Sequence, residues 1–172
     1  MNRKLVAALF AAIVFQFLVL TGMYVSAALP LWTGTEIKIK TIPVDPRSMF
    51  RGNYARLRYD ISQLDTKHFP DGSELRNGEV VFVTLKPGAD GLYQFATTSL
   101  EKPDNEVFLR GRIENRRYEE KASYFRIKYG IEAFFAPKEK ALQLESELRD
   151  GGVAVLMISK GGKARLKDVV GE

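Results

Sequence analysis

Hydrophobic and polar residues change rhythm once, near Gly34. From Leu5 to Leu29 the chain reads LVAALFAAIVFQFLVLTGMYVSAAL, twenty-five positions with no charge and Gln16 as the strongly polar exception. A bilayer is crossed by about 20 helical residues, so this run predicts a membrane-spanning helix. Beyond Gly34 the pattern becomes alternation. Ile37 and Ile39 interleave with Glu36, Lys38 and Lys40, the period of two that marks a half-buried strand, and Pro43 and Pro46 stop it. Residues 54–61, YARLRYDI, place Ala55, Leu57, Tyr59 and Ile61 on a core face, with Tyr54, Arg56, Arg58 and Asp60 on a wet one. Between Ile61 and Glu79 the chain is polar and carries Pro70-Asp71-Gly72 and Asn77-Gly78, which predicts turns.

Further strands are expected over 79–86, 91–99, 106–114 and 123–129, the first two joined as a hairpin through Pro87-Gly88 and Asp90-Gly91. A helix is expected to open at Pro137, where a missing N–H costs nothing, and to run to about Arg149 with Ala141, Leu144 and Leu148 facing inward. A last hairpin pairs 153–159 with 164–170 across Lys160-Gly161-Gly162-Lys163. Short strands, frequent turns and one late helix predict a mainly β (α+β) chain. Residues 1–32 form a cytoplasmic tip and transmembrane anchor, and 33–172 an antiparallel barrel-like or sandwich-like β domain with one helix in its C-terminal half. An open, edge-paired sheet is the alternative.

Charge sharpens this division. Arg3 and Lys4 are the only charges before Gly34, and beyond it 24 basic residues stand against 21 acidic ones. The N-terminal pair predicts a cytoplasmic N-terminus and a single-pass protein whose domain lies in the periplasm, outside an inner membrane, or in an equivalent extracytoplasmic space. A cleaved signal peptide ending near Val25-Ser26-Ala27 is the competing reading, although its apolar core should be only about 7–15 residues long. So small a basic surplus predicts no nucleic-acid partner. Zero cysteines exclude disulfides, cysteine-zinc sites and thiol catalysis, and the single histidine, His68, excludes a multi-histidine metal centre. No cofactor is expected, and no metal.

The densest turn chemistry is DPRSMFRGNY, Asp45 to Tyr54. With GNYARLRY, Gly52 to Tyr59, it resembles the signature of the GDYXXLXY protein family, bacterial membrane-anchored proteins in which the motif follows Asp-Pro-Arg and an arginine. Asp45-Pro46-Arg47 and Arg51 stand in those places. KYGIEAFFAPKEKALQLE, from Lys128, is similar to the family's second block, and GGKARLKDV to its closing strand. This chain has Asn53 where the family has aspartate; asparagine keeps the turn and loses the charge.

Leu57 and Tyr59 are expected to pack in the core, and Gly52 to supply a permissive turn angle. Tyr54, Arg56 and Arg58 form either a solvated face or a cationic, aromatic binding patch. Asp45, Arg47 and Arg51 are expected to pin their loop by ion pairs, with Glu132, three residues after Tyr129 at a strand-to-helix transition, as a possible partner. These two segments are expected to meet in space. His68 is expected at the surface. Ser48-Met49, shortly after an anchor, raises a signal-peptidase-like serine protease, but the residues that follow are hydrophilic and lack that enzyme class's run. No catalytic residue is therefore assigned. With no complete catalytic or metal constellation in the sequence, a non-enzymatic accessory or binding protein is expected, and the resemblance implies association with a multi-span membrane protein, since such proteins are commonly encoded beside or joined to polytopic ones. An anion or lipid-headgroup sensor using Arg56 and Arg58 is the alternative.

Overall fold

The computed structural model describes residues 3–42, 54–69, 75–114, 124–135 and 151–171, together with 137, 139, 144 and 148. A single helix, α1 (Arg3–Thr33), occupies the N-terminal apolar run and is long and apolar enough to cross a membrane. At 1.5 Å per residue it is about 46 Å long, longer than the roughly 30 Å hydrocarbon core of a bilayer. Its end is closed without a linker. The Gly34 N–H donates to the Pro30 carbonyl at 2.9 Å, satisfying one of the four carbonyls a helix C-terminus leaves open, and Thr33 Oγ1 donates to the Leu29 carbonyl at 3.0 Å. The first strand, β1 (Thr35–Ile42), begins one residue after the helix ends. Gly34 is required there: a Cβ would stand 2.3 Å from the Pro30 carbonyl oxygen and 2.9 Å from that of Ile158.

The β1 alternation is realised as expected, with Ile37, Ile39 and Thr41 buried and Glu36, Lys38 and Lys40 exposed. After it come β2 (Tyr54–Arg56), β3 (Arg58–Tyr59), β4 (Gln63–Asp65), β5 (Val80–Pro87), β6 (Tyr93–Ser99), β7 (Val107–Ile113), β8 (Tyr124–Lys128), β9 (Ala133–Phe135), β10 (Gly152–Ile158) and β11 (Ala164–Gly171). Among the described residues they form a four-stranded sheet in the order β11-β10-β1-β3, a two-stranded sheet β2-β9, and a five-stranded sheet β4-β8-β7-β5-β6. The pairings described are antiparallel, one sheet curls into a half-barrel, and the fold class is the expected one.

The core lies where the sheets face each other: Ile37 and Ile39 from β1, Val81, Val83 and Leu85 from β5, Leu109 and Ile113 from β7, and Leu156 from β10. Each such side chain removed from water contributes about 1.5–3 kcal/mol. The two larger sheets are also bolted through backbone, since the Arg110 N–H on β7 donates to the Gly162 carbonyl in the β10–β11 turn at 2.8 Å.

Three local expectations are corrected. The strand expected over 54–61 is broken at Leu57: its first part pairs with β9, its second with β1, and a 3-10 turn over Asp60–Ser62 ends it. That turn is held by side chains bonding the adjacent backbone, the Tyr59 N–H to Ser62 Oγ at 3.1 Å and the Ile61 N–H to Asp60 Oδ1 at 2.8 Å. The stretch read as polar turns contains β4 and buries Leu64, Phe69 and Leu75. A short strand, β9, follows Glu132 where a transition into helix was expected. Most of the helix expected over 137–149 lies outside the described residues; within them, Glu139 and Leu144 are helical and Leu144 and Leu148 are buried.

Candidate functional site

The end of β1 farthest from α1 is where two sequence motifs cross. Tyr54, Ala55 and Arg56 pair with Phe135, Phe134 and Ala133. The Leu57 N–H then donates to the Glu132 carbonyl at 2.9 Å, after which Arg58 and Tyr59 turn to β1, opposite Ile42 and Thr41. The chain thus passes from one sheet to another within three residues while its buried side chains keep a strict alternation, Leu57, Tyr59 and Ile61 inward. Arg56, Arg58 and Asp60 point out.

At the crossing two tyrosines exchange hydrogen bonds. Tyr59, fully buried, donates its hydroxyl to the Ile131 carbonyl at 2.6 Å, and Tyr129, 7% exposed, donates its own to the Ile61 carbonyl at 2.7 Å. Each phenol satisfies a carbonyl in the other's segment, so the pair clasps the two segments together while filling core volume. Gly111 on β7 leaves the room: a Cβ there would lie 3.0 Å from the Tyr129 ring. Burial, and behind it the negative charge of Glu132, pushes both phenols far above their ordinary value. Phenols held neutral in this way donate hydrogen bonds and do not serve as bases near neutral pH.

Glu132 closes its own turn. Its carboxylate accepts the Tyr129 N–H at 2.6 Å and the Gly130 N–H at 3.0 and 3.2 Å. The charged pairing anticipated for Glu132 involves Arg47 or Arg51, and these, with Asp45, Ser48, Gly52 and Asn53, lie outside the described residues. For Tyr54 the backbone is described and the side chain is not. His68 is exposed, its ring edge-on to Phe95 at 4.9 Å.

Beside the crossing opens a cleft of about 290 Å³ between Lys40 on β1, Asp60 and the segment from Asp90 to Phe95. Partial burial raises the Asp60 carboxyl above its ordinary range, opposed by the Ile61 N–H it accepts. Sequence reasoning missed this cleft. Asp60 falls in an ordinary alternating pattern, and nothing in the chain signals that the β5–β6 hairpin folds over it. Among the described residues no group of three or more histidine, aspartate or glutamate side chains is placed to hold a metal ion.

A family model described as the GDYXXLXY protein matches residues 16–169. The chain belongs to the GDYXXLXY family. The match begins inside α1 and ends in β11, so the family's extent takes in the helix end, the joint at Gly34 and the β domain. Neither the curated proteins nor the solved structures searched yield a match. Of the GDYXXLXY signature, Leu57 and the final tyrosine, Tyr59, are core residues at the crossing, and Tyr59 makes half of the clasp.

Proposed function

We propose that this GDYXXLXY protein is a membrane-anchored, non-enzymatic accessory protein. Its β domain stands in the periplasm and binds another envelope component, a multi-span membrane protein. The observation that carries this reading is the joint. A helix long enough to span a bilayer passes into β1 through Gly34 alone, so the domain is held against the end of its anchor. Such confinement raises effective concentration toward a membrane partner and compensates for a modest interface. The described motif residues support the same reading, since Leu57, Tyr59, Tyr129 and Glu132 are occupied in packing and in backbone hydrogen bonds. Arg56 and Arg58 are left outward for recognition.

Alkaline phosphatase fused after Glu172 is expected to be active; a cytoplasmic reporter active at that site would reverse the topology. Photocrosslinking from positions 56 and 58 in native membranes is expected to give recurrent protein adducts. Lipid-only adducts would favour a headgroup sensor, and no adduct from an inserted, folded chain would count against both.

A further inference from the structure

We propose that the turn joining β10 to β11 is a membrane-contact surface whose cations, Lys160 and Lys163, bind the phosphates of anionic phospholipids in the leaflet where α1 ends. This rests on α1 being a membrane span, as proposed above. Placement comes first. β1 leaves the joint and β10 returns antiparallel to it, pairing Ile158 with Thr35, so the turn over residues 159–163 lies at the helix end of the sheet. The Ile158 carbonyl lies so close to the joint that a Cβ on Gly34 would approach it to 2.9 Å. Lys160 is two residues further on, at most about 7 Å of chain. Residues 3–26 of α1 are exposed, Ala27 and Ala28 are half-buried and Pro30 is buried. The domain therefore touches the apolar run only at its last turn and begins where the span ends.

Charge is the second observation. SKGGKARLK, Ser159 to Lys167, holds four basic residues and no acidic one. Lys167 is taken up by Glu36 at 2.5 Å, whereas Lys160 and Lys163 are exposed. Arg165, the next basic residue, lies on β11 and is half-buried, so the two lysines are the cations the turn presents.

The turn is also held in shape. The Ser159 N–H donates to the Lys163 carbonyl at 3.0 Å, the Gly162 N–H to the Ser159 carbonyl at 2.9 Å, and Arg110 holds Gly162 from outside. Gly162 takes a φ of 76° and lies so tightly on Phe108 that a Cβ would come within 2.4 Å of its ring. The backbone that carries the lysines therefore has little left to order on binding. Attraction to an anionic leaflet fades within a Debye length of about 8 Å, which the turn satisfies. Arg58, opposite Ile42, is about 23 Å further along the sheet by strand rise.

The chain has no cysteine, and a Cβ at Gly161 meets nothing nearer than Ser159 Oγ at 3.9 Å, so Gly161→Cys accepts a fluorophore without disturbing the turn. The labelled full chain is reconstituted in vesicles of phosphatidylcholine, or of an equimolar mixture with phosphatidylglycerol, both carrying a headgroup-attached quencher. Arg58→Cys is the second probe site. Flotation after alkaline extraction is scored first, and a chain that leaves the vesicles overturns the anchor reading and this one with it. For an inserted chain, quenching at position 161 is expected to be stronger in anionic vesicles. That excess should disappear in high salt and in Lys160→Glu with Lys163→Glu, and shrink in the corresponding glutamine pair. Equal quenching in both vesicles, or indifference to the double reversal, overturns the proposal while leaving the anchor intact. A charge-dependent signal at position 58 alone also overturns it, in favour of the arginine face.

Discussion

The two ends of β1 are fixed by opposite means. At Thr35 the strand is joined to α1 by close backbone approach, with a glycine where no side chain fits and exposed lysines in the adjoining turn. At Ile42 it meets bulk, two buried tyrosines that fill the core and trade hydrogen bonds. One end depends on an absent side chain, and the other on large ones whose polar tips are all matched. Substitutions should therefore fail in opposite senses: at the near end by adding atoms, at the far end by removing them.

The largest effect is expected from Tyr59→Ala, which empties a fully buried site. Truncation of a buried aromatic costs about 3–5 kcal/mol, to be read from denaturant unfolding followed by near-ultraviolet circular dichroism of the detergent-solubilised chain. A loss below 1 kcal/mol would mean that the far end does not depend on bulk. Gly34→Ala comes next. Added methyls in tight sites cost roughly 1–3 kcal/mol, and because the clash is with backbone, the same assay should show a loss within that range; a neutral result would contradict the close approach at the joint.

Tyr59→Phe and Tyr129→Phe keep the ring and remove the donor, leaving a buried carbonyl unmatched at about 1–3 kcal/mol each. A double-mutant cycle should show coupling if the clasp acts as a unit. Alkaline titration sharpens this. The unfolded chain ionises its tyrosines near pH 10, while the folded one holds these two neutral well above that. Stability should therefore be full below pH 10 and fall as pH rises beyond it. The double phenylalanine variant should lose this steep alkaline branch.

The smallest effect concerns Asp60. Its carboxyl is raised above 3.8 by burial, so the fold prefers the protonated form: that contribution is full below about pH 3.8 and lost as pH climbs through the shifted value. Asp60→Asn keeps an oxygen for the Ile61 N–H, and should melt slightly higher than the parent at pH 7 and level with it at pH 3. A lower melting temperature at pH 7 would refute the burial account.

What the sequence discloses follows from what periodicity can encode. Whereas β10, apolar throughout, is marked only by the glycine turn that follows it, strands with one wet face, such as β1, announce themselves because every second residue is polar. The break at Leu57 is invisible for the same reason. Inward positions continue to alternate through it, and only the identity of the hydrogen-bonding neighbour changes, from β9 to β1. Leu64, Phe69 and Leu75 are too sparse among polar residues to make a pattern, yet each is buried. At the candidate site, the core placement of Leu57 and Tyr59 was legible. The destinations of the two hydroxyls were not, since they are carbonyls about seventy residues away along the chain.

The joint at Gly34 has a mechanical consequence. With no hinge between helix and strand, a change in the tilt of α1 is a rotation of the whole sheet. Helices tilt to reconcile their apolar length with local bilayer thickness, and the far end of β1 lies about 23 Å out along the strand. Under the proposed anchoring, a tilt of 10° thus sweeps the Tyr59 crossing sideways by about 4 Å over that arm, and the outer end of the domain moves as the pointer of a lever whose longer arm is the helix.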